Sequence, residues 1–401
     1  MKKKLLIVSS TFPRWKDDTD PPFVFELARR LTNNFDISVL APHYPGSCIS
    51  ERMEGMDIYR FRYFLEKFET LAGSTGILPT LKRNKLNYLL ILFFVLGEVI
   101  TLLKLTIKNK PDIIHAHWIL PQGFAAFLIH KVTGVPYVLT THGGDIYGLQ
   151  GKIPTILKRI VVQGAATVTV ASKDIQEKLR QLTGTTPPTQ VIPMGVDSGL
   201  FHPNKKDRKL RGKFGINGPF LLFVGRFTEK KGVRYLIAAM PEVLKHFPES
   251  RLLVVGTGEL EKELQQNVTN LGLDQQVIFA GAIPNHELPK YFATADIFIG
   301  PSIKTADGDT EGFGLTFVEA AMSGCIVIGT EVGGIADIIQ HGETGFQVKE
   351  KSPASITQIL LKVMQQQSEL SSMRDKARQK MVEQFDWLSI AEKYKRILAT
   401  H

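Results

Sequence analysis

Cysteine is scarce in this chain: two in 401 residues, Cys48 and Cys325. So few thiols exclude a disulfide framework and fit a reducing cytosol. Long charge-free apolar runs are missing as well. In LNYLLILFFVLGEVITLLKL, Leu86–Leu105, the charges of Glu98 and Lys104 leave only Leu86–Gly97 uninterrupted, which is short of a membrane span. The amino terminus, MKKKLLIVSSTFPRW, has the lysines of a signal peptide. Its apolar run Leu5–Val8 is too short for the purpose, no small-residue cleavage site follows, and it reads as a first buried strand. No basic run is interleaved with aromatics and no zinc-ligand spacing occurs, which sets nucleic acid aside as a partner.

What is present is a soluble, two-domain composition. Hydrophobic residues make up 43% and charged residues 22%, and 401 residues exceed one ordinary core. The net charge of +10 is uneven: residues 1–200 hold 24 Lys/Arg against 16 Asp/Glu, the remainder 25 against 23. A basic first half suits an anionic partner, a membrane surface or a phosphorylated substrate.

Short β-rich runs alternate with helical patterns throughout. KKLLIVSS, DISVLAP, GMDIYRFRY, PDIIHAHW, PYVLTTH, TVTVAS and TQVIPM read as strands of the first half, with helices such as Phe23–Leu31 and Gly123–Val132 between them. PFLLFVGR, RLLVVGTG, VIFAG, IFIGPS, CIVIGT and GFQVK repeat the plan. Continuous apolar strands imply burial on both faces, hence α/β architecture with two Rossmann-like, doubly wound parallel sheets. The expected domains are 1–200 and 201–385, joined by the charge-dense Phe201–Gly218, with 386–401 a final amphipathic helix. Ligands of such sheets bind outside the carboxyl ends of the strands, so the chemistry is expected in strand-end loops lining a cleft between the two sheets.

Three motifs fall there. In VGRFTEKKG, after Gly225, Arg226 and Lys231 bracket a loop before a helix and would neutralise a diphosphate. VVGTGEL, around Gly256, is a shortened dinucleotide fingerprint or a plain tight turn. DGDTEGFGLTFVEA, Asp307–Ala320, combines bare amides at Phe313, Gly314 and Leu315 with two carboxylates, Glu311 and Glu319. Amides at a helix start attract phosphate, whereas carboxylates accept hydrogen bonds from sugar hydroxyls. A nucleotide sugar offers both.

Glu311 and Glu319 form a Glu-x7-Glu pattern, and with GRFTEKKG, the Gly256–Gly258 turn, FAGAI, EAAMSG, GGIADII, THGGD and IPMGVD the chain resembles the retaining glycosyltransferases of family four, which have the GT-B fold. The resemblance implies that Glu319 binds ribose hydroxyls and Glu311 the transferred sugar. It also implies that Arg226 and Lys231 hold the diphosphate beside the amides of Gly314 and Leu315, Ile283 lies by the base, and His142 lies near sugar and acceptor. His142, Glu311, Arg226 and Lys231 would carry the reaction, without cofactor or metal; the nucleotide diphosphate sugar is the donor substrate. It further implies that the final helix crosses back to the first domain.

The first-domain loop departs from the family pattern. DDTDPPFVFELARRL has Pro21–Pro22 where paired glycines are usual, which points to an acceptor-shaped loop holding Pro22 and Phe23. Asp145, in HGGD, orients His142, binds an acceptor hydroxyl or stabilises its turn. Asp307–Gly308–Asp309 imitates a metal motif but sits within a loop, and His115 and His117, on one face of a strand but without a third ligand nearby in sequence, read as satisfied core or cleft histidines rather than metal ligands. Trp387 reads as packing.

Leu81–Lys110 is either a core helix with solvated ends or an interfacial segment, with Lys82, Arg83, Lys85, Lys158 and Arg159 facing anionic headgroups. The expected function is hexose transfer from a nucleotide diphosphate sugar, with retention, to a growing glycan acceptor that is polyprenyl-linked, at the cytoplasmic membrane face, in cell-surface polysaccharide synthesis. An epimerase or phosphorylase on the same fold, or a non-catalytic glycan- or membrane-binding subunit, are the competing readings.

Overall fold

A computed structural model describes residues 2–15, 18, 23–72, 77, 80, 87–149, 151–366 and 369–401. Pro22 and the basic trio Lys82, Arg83 and Lys85 lie outside the described residues. The chain divides into two compact units, Met1–Met194 with Trp387–His401, and Gly195–Asp386.

The first unit holds β1 (Lys3–Val8), β2 (Phe35–Pro42), β3 (Ser50–Met53), β4 (Met56–Phe61), β5 (Ile113–His117), β6 (Tyr137–Thr141), β7 (Thr167–Val170) and β8 (Thr189–Val191). They form one sheet in the order β3-β4-β2-β1-β5-β6-β7-β8. The run that imitates a signal peptide is a central strand: Leu5, Leu6, Ile7 and Val8 are buried, and β1 pairs in parallel with β2 and β5. Burying one such side chain stabilises by about 1.5–3 kcal/mol, which is why apolar runs without alternation settle at the centre. β3 alone is antiparallel, joined to β4 by a turn with positive φ at Glu54 and Gly55. Its sequence, SERM, has no apolar pattern to announce a strand.

Chain order sorts the helices into two layers. The helix Phe23–Leu31 connects β1 to β2, stepping one way along the sheet; Asn87–Asn109, Phe124–Thr133, Lys152–Gly164 and Lys173–Thr183 make crossovers stepping the other way. Right-handed connection therefore puts these four on one face and Phe23–Leu31 on the other. The final helix, Trp387–Thr400, packs beside Phe23–Leu31: Ile390, Tyr394 and Leu398 are buried, and the Arg30 guanidinium lies 5.3 Å from the Trp387 ring.

The second unit holds β9 (Phe220–Val224), β10 (Arg251–Val255), β11 (Val277–Gly281), β12 (Ile297–Gly300), β13 (Ile326–Thr330) and β14 (Phe346–Val348), all parallel, in the order β11-β10-β9-β12-β13-β14. Its core joins Leu221, Phe223, Leu252 and Ile299 to helix residues such as Leu236, Met240 and Leu360.

Phe201–Gly218 is not a linker. The chain passes into the second unit at Gly195, and two charges of the segment are tied into that unit, one as a helix cap and one in an ion pair. Asp207 caps the helix Arg208–Lys213 through Lys209 N (2.9 Å) and donates its own amide to Thr294 Oγ1 (2.9 Å). Arg211 pairs with Asp296 at 2.6 Å, and Phe201 meets Phe292 edge-on at 5.9 Å.

Candidate active site

In the second unit the site is built from the carboxyl ends of neighbouring strands. β9 is buried along its length and is followed by Gly225, whose amide donates to Val255 O of β10 (3.0 Å). Gly256 has φ +135°, and a Cβ there would lie 2.0 Å from Gly225 O, so only glycine allows the two strand ends to touch. Gly256 N in turn donates to Gly281 O (2.8 Å), which ties down β11 just before Ile283. Gly256 thus holds fixed the loops of Arg226 and Ile283. Arg226 itself is exposed.

The KKG loop is welded to the end of β12. Ile303 N donates to Lys230 O (2.7 Å), and Gly232 lies so near that a Cβ would meet Pro301 O at 1.9 Å. This contact brings Lys231 Nζ onto Glu311 Oε2, while Lys230 Nζ donates to Asp309 Oδ1 (3.1 Å) and Thr310 O (3.3 Å). Burial pushes the Glu311 carboxyl up, but the cations of Lys231, Lys230 and Arg226 outweigh it and hold the group below the usual carboxylate range. Asp309 of the Asp-x-Asp sequence is thereby charge-paired.

Gly314 (φ +97°) precedes the helix Leu315–Met322. The amides of Leu315 and Thr316, in its first turn, have no acceptor within the helix. The loop is held from behind by the Gly333–Gly334 pair: Gly334 N donates to Glu311 O (3.0 Å), and a Cβ on Gly333 would lie 2.0 Å from that same oxygen. Glu319, about one turn into the helix, is half-buried and has no side-chain hydrogen bond or ion pair among the described residues. Burial pushes its carboxyl up to about 7. Two carboxylates eight positions apart therefore differ in charge state: Glu311 is a committed anion and Glu319 titrates near neutrality.

The first unit assembles a second group, again at strand carboxyl ends. His142 follows β6 and stacks on His117, the last residue of β5, with ring centroids 5.3 Å apart and an 11° tilt; His117 Nδ1 and His142 Nε2 are 3.1 Å apart and share a hydrogen bond. Trp118 (4.7 Å) and Phe23 (5.0 Å) flank the same imidazole. Trp118 has φ +72°, a conformation costing a non-glycine residue on the order of 1–3 kcal/mol. Burial, with help from His115, holds His142 down at about 3, so its imidazole is neutral. Asp145 is buried, and its oxygens accept from Ile119 N (3.0 Å) and His142 N (3.2 Å), making it a clamp between the two loops. Behind them a buried chain runs from His115 Nε2 through Thr140 and Thr169 to Tyr394 of the final helix, at 2.7, 2.7 and 3.2 Å.

One group is thus cationic with a helix start and two acids, suited to a diphosphate bearing hydroxyls; the other is aromatic and neutral. The model of the glycosyl transferases group 1 matches residues 206–380, and that of Glycosyltransferase Family 4 matches residues 22–200. The chain belongs to glycosyltransferase family four. It is similar to the uncharacterized glycosyltransferase MJ1607 of Methanocaldococcus jannaschii, 26% identical over 84% of this chain and 87% of that one. It is also similar to a GDP-mannose-dependent phosphatidylinositol monomannoside mannosyltransferase of Mycolicibacterium smegmatis, 31% identical over 55% and 58% of the respective chains. Among solved structures, Anabaena HepE in complex with UDP-glucose superposes with a TM-score of 0.75 at 19% identity over 99% of this chain and 100% of that one, a likeness of fold. The fold is GT-B.

In this glycosyltransferase, Arg226, Lys231, Glu311, Gly314, Leu315 and Glu319 gather on one edge of the second unit, with Ile283 beyond β11; His142, Asp145 and Phe23 gather in the first. Sequence reasoning singled out neither Lys230 nor Trp118, and it met the Gly333–Gly334 pair only as part of GGIADII and His117 only as a histidine without a third metal ligand nearby. Lys230 was legible as the neighbour of Lys231 in TEKKG. His117 and Trp118 close a strand, where this fold puts its ligands, and reading His117 as a satisfied core or cleft histidine said nothing of its contact with His142.

Proposed function

We propose that this glycosyltransferase moves a hexose from a nucleotide diphosphate sugar to a glycan acceptor with retention of anomeric configuration. The observation that carries the reading is the Lys231–Glu311 ion pair beside Lys230, Arg226 and the open amides of Leu315 and Thr316, with Glu319, one turn further on, unpartnered among the described residues. Fixed cations and a helix start stabilise the charge that develops on a departing diphosphate, and they need no rearrangement at the moment of bond breaking. Glu319 accepts the ribose hydroxyls, and Glu311, anchored by Lys231, meets the transferred sugar.

The family resemblance supports retention, since in that pattern the leaving diphosphate helps take the acceptor's proton on the same face. The neutral His142 imidazole, framed by Phe23 and Trp118, suits an acceptor sugar: an apolar ring face for C–H stacking and one nitrogen for a hydroxyl. Asp145, committed to two amides, positions His142. The mannosyltransferase relative is named for GDP-mannose and the HepE structure contains UDP-glucose; both are nucleotide diphosphate hexoses, which supports that donor class here.

The acceptor we assign is a lipid-linked glycan of cell-surface polysaccharide synthesis, elongated on the cytoplasmic face of the membrane; the basic first half and its apolar helix support this. The test is a panel of UDP-, GDP- and ADP-hexoses. The correct donor raises the melting temperature selectively, by mass action, and the anomeric signal of the product shows retention. No shift with any nucleotide sugar, or an inverted product, would overturn the reading.

A further inference from the structure

We infer that the outer surface of one helical layer of the first unit docks on an anionic lipid bilayer. The helix Asn87–Asn109 is apolar on both sides. Its inner side is buried at Phe94, Glu98, Leu102, Leu105 and Thr106, and Phe94 meets Phe61 and Tyr63 edge-on at 4.9 and 5.0 Å. Gly97 lies so close to the segment after β4 that a Cβ would sit 2.6 Å from Arg62 O. Leu89–Asn109 is long and apolar enough to cross a membrane, yet this packing binds it to the sheet. Leaving would strip the aromatic cluster. The helix lies along a surface instead.

Among the described residues nothing covers its outer side. Leu89 is 70% and Leu92 69% exposed, and Phe93, Leu96 and Ile100 continue the stripe at helical spacing. Two more helices of the same layer extend it. Phe124–Thr133 packs beside Asn87–Asn109 and presents Val132, and Lys152–Gly164 packs against Phe124–Thr133 and presents Ile153 (73% exposed), Ile156 and Ile160, at positions i, i+3 and i+7. Phe64, its ring 5.5 Å from Phe93, adds to the near edge.

Charge decides the occupant. The three helices expose Lys104, Lys108, Lys131, Lys152 and Arg159, and their single acid, Glu98, is buried. Lys158 does not join them: it is buried, donating to Ile146 O (3.2 Å) and Gly148 O (2.6 Å). A second copy laid on this face would meet its own cations. A bilayer supplies both complements, acyl chains for the leucines and isoleucines and anionic headgroups for the lysines at their margins. Crossover helices start at the carboxyl edge of the sheet, so Leu89, Leu92, Ile153 and Ile156 stand at the edge that carries His142 and Trp118. Docking there brings lipid to the aromatic end of the unit.

The experiment sediments the full chain with phosphatidylcholine vesicles, with and without phosphatidylglycerol. Binding is expected to phosphatidylglycerol vesicles at low salt, weakening as salt rises. Leu92→Glu with Leu96→Glu should weaken it by about tenfold or more, and Lys104→Ser with Lys108→Ser should flatten the salt dependence. All four side chains or their neighbours on the stripe are solvent-facing, and unchanged circular dichroism and melting temperature certify the fold. Failure to bind phosphatidylglycerol vesicles, or parental binding by the glutamate variant, overturns the inference. So does a dimer in solution that Leu92→Glu splits, since a second copy would then be the occupant. The donor panel needs no vesicles, so docking and sugar transfer fail separately.

Discussion

The Lys231 ammonium donates to the Glu311 carboxylate, although the two residues stand 80 positions apart on loops after β9 and β12. An incoming diphosphate therefore competes with Glu311 for Lys231. Glu311→Gln removes the competitor while Lys230, Lys231 and Arg226 keep their charges. Nucleoside diphosphate should bind it at least as tightly as the parent, yet transfer should fall on the order of a hundredfold, because the sugar has lost its anion. Lys231→Ala should do the reverse to binding, weakening the diphosphate about tenfold, with a loss in rate again on the order of a hundredfold. Titration calorimetry with UDP, GDP and ADP, set beside initial rates, separates the two. Parental transfer by Glu311→Gln would show that this carboxylate does not act on the sugar.

Glu319 gives a pH signature. Burial raises its carboxyl to about 7, so the native state holds the proton more tightly than the unfolded chain does. The stability this contributes is complete below the ordinary carboxylate range and is lost as pH rises through about 7. Ribose recognition runs the other way, since an ionised carboxylate accepts hydroxyl hydrogens more strongly. Nucleotide affinity should climb as pH passes upward through about 7, and Glu319→Gln should be weak and flat across the same range. A parental slope in the glutamine variant would assign the titration elsewhere.

Much of this edge was legible before any coordinates. β1 and β9 announce themselves as buried because they are unbroken apolar runs, and the parallel arrangement follows from helices between them. The two acids and the KKG loop stand out because glycine and charge collect where apolar strands end. The illegible parts depend on long-range contact. Nothing local in Gly333 says that its Cα must rest against Glu311 O, and SERM becomes a strand only because β4 offers it an edge. Phe201–Gly218 misled for the same reason: Asp296, the partner of Arg211, lies 85 residues away, so a partly buried ion pair was hidden in a charge-dense stretch that read as a linker.

His142 should be silent in the pH–rate profile. Its imidazole is depressed from 6.5 to about 3, chiefly by burial, so it is neutral throughout the range in which enzymes of this kind are assayed. The rate at saturating donor should show no limb near 6.5 attributable to it, while His142→Ala should still lower transfer by removing the acceptor's contact. His117→Phe keeps the stacking but deletes the 3.1 Å hydrogen bond, and should raise the acceptor KM more than it lowers kcat. A limb near 6.5 that vanishes in His142→Ala would mean that the imidazole works as an acid or base after all.

Glu98 is the least expected acid in the chain, fully buried in the helix Asn87–Asn109 with one oxygen accepting from Gln122 Nε2 at 3.1 Å. Its other oxygen, and Gln122 Oε1, have no partner among the described residues. Burial pushes the carboxyl up to about 8 against a weaker pull from Gln122. A protonated Glu98 can donate to Gln122 Oε1 and complete a two-bond acid–amide pair; an ionised one strands a charge among leucines. The stability from protonation is therefore whole below the ordinary carboxylate range and is lost as pH rises through about 8. Glu98→Gln makes the paired arrangement permanent. Its amide nitrogen replaces the carboxylic O–H, so its melting temperature should match the parent under mildly acidic conditions and exceed it above about 8, a gain on the order of 1 kcal/mol. Melting curves of both proteins across that range decide it: a difference that does not grow with pH would show that Glu98 does not titrate in the folded chain.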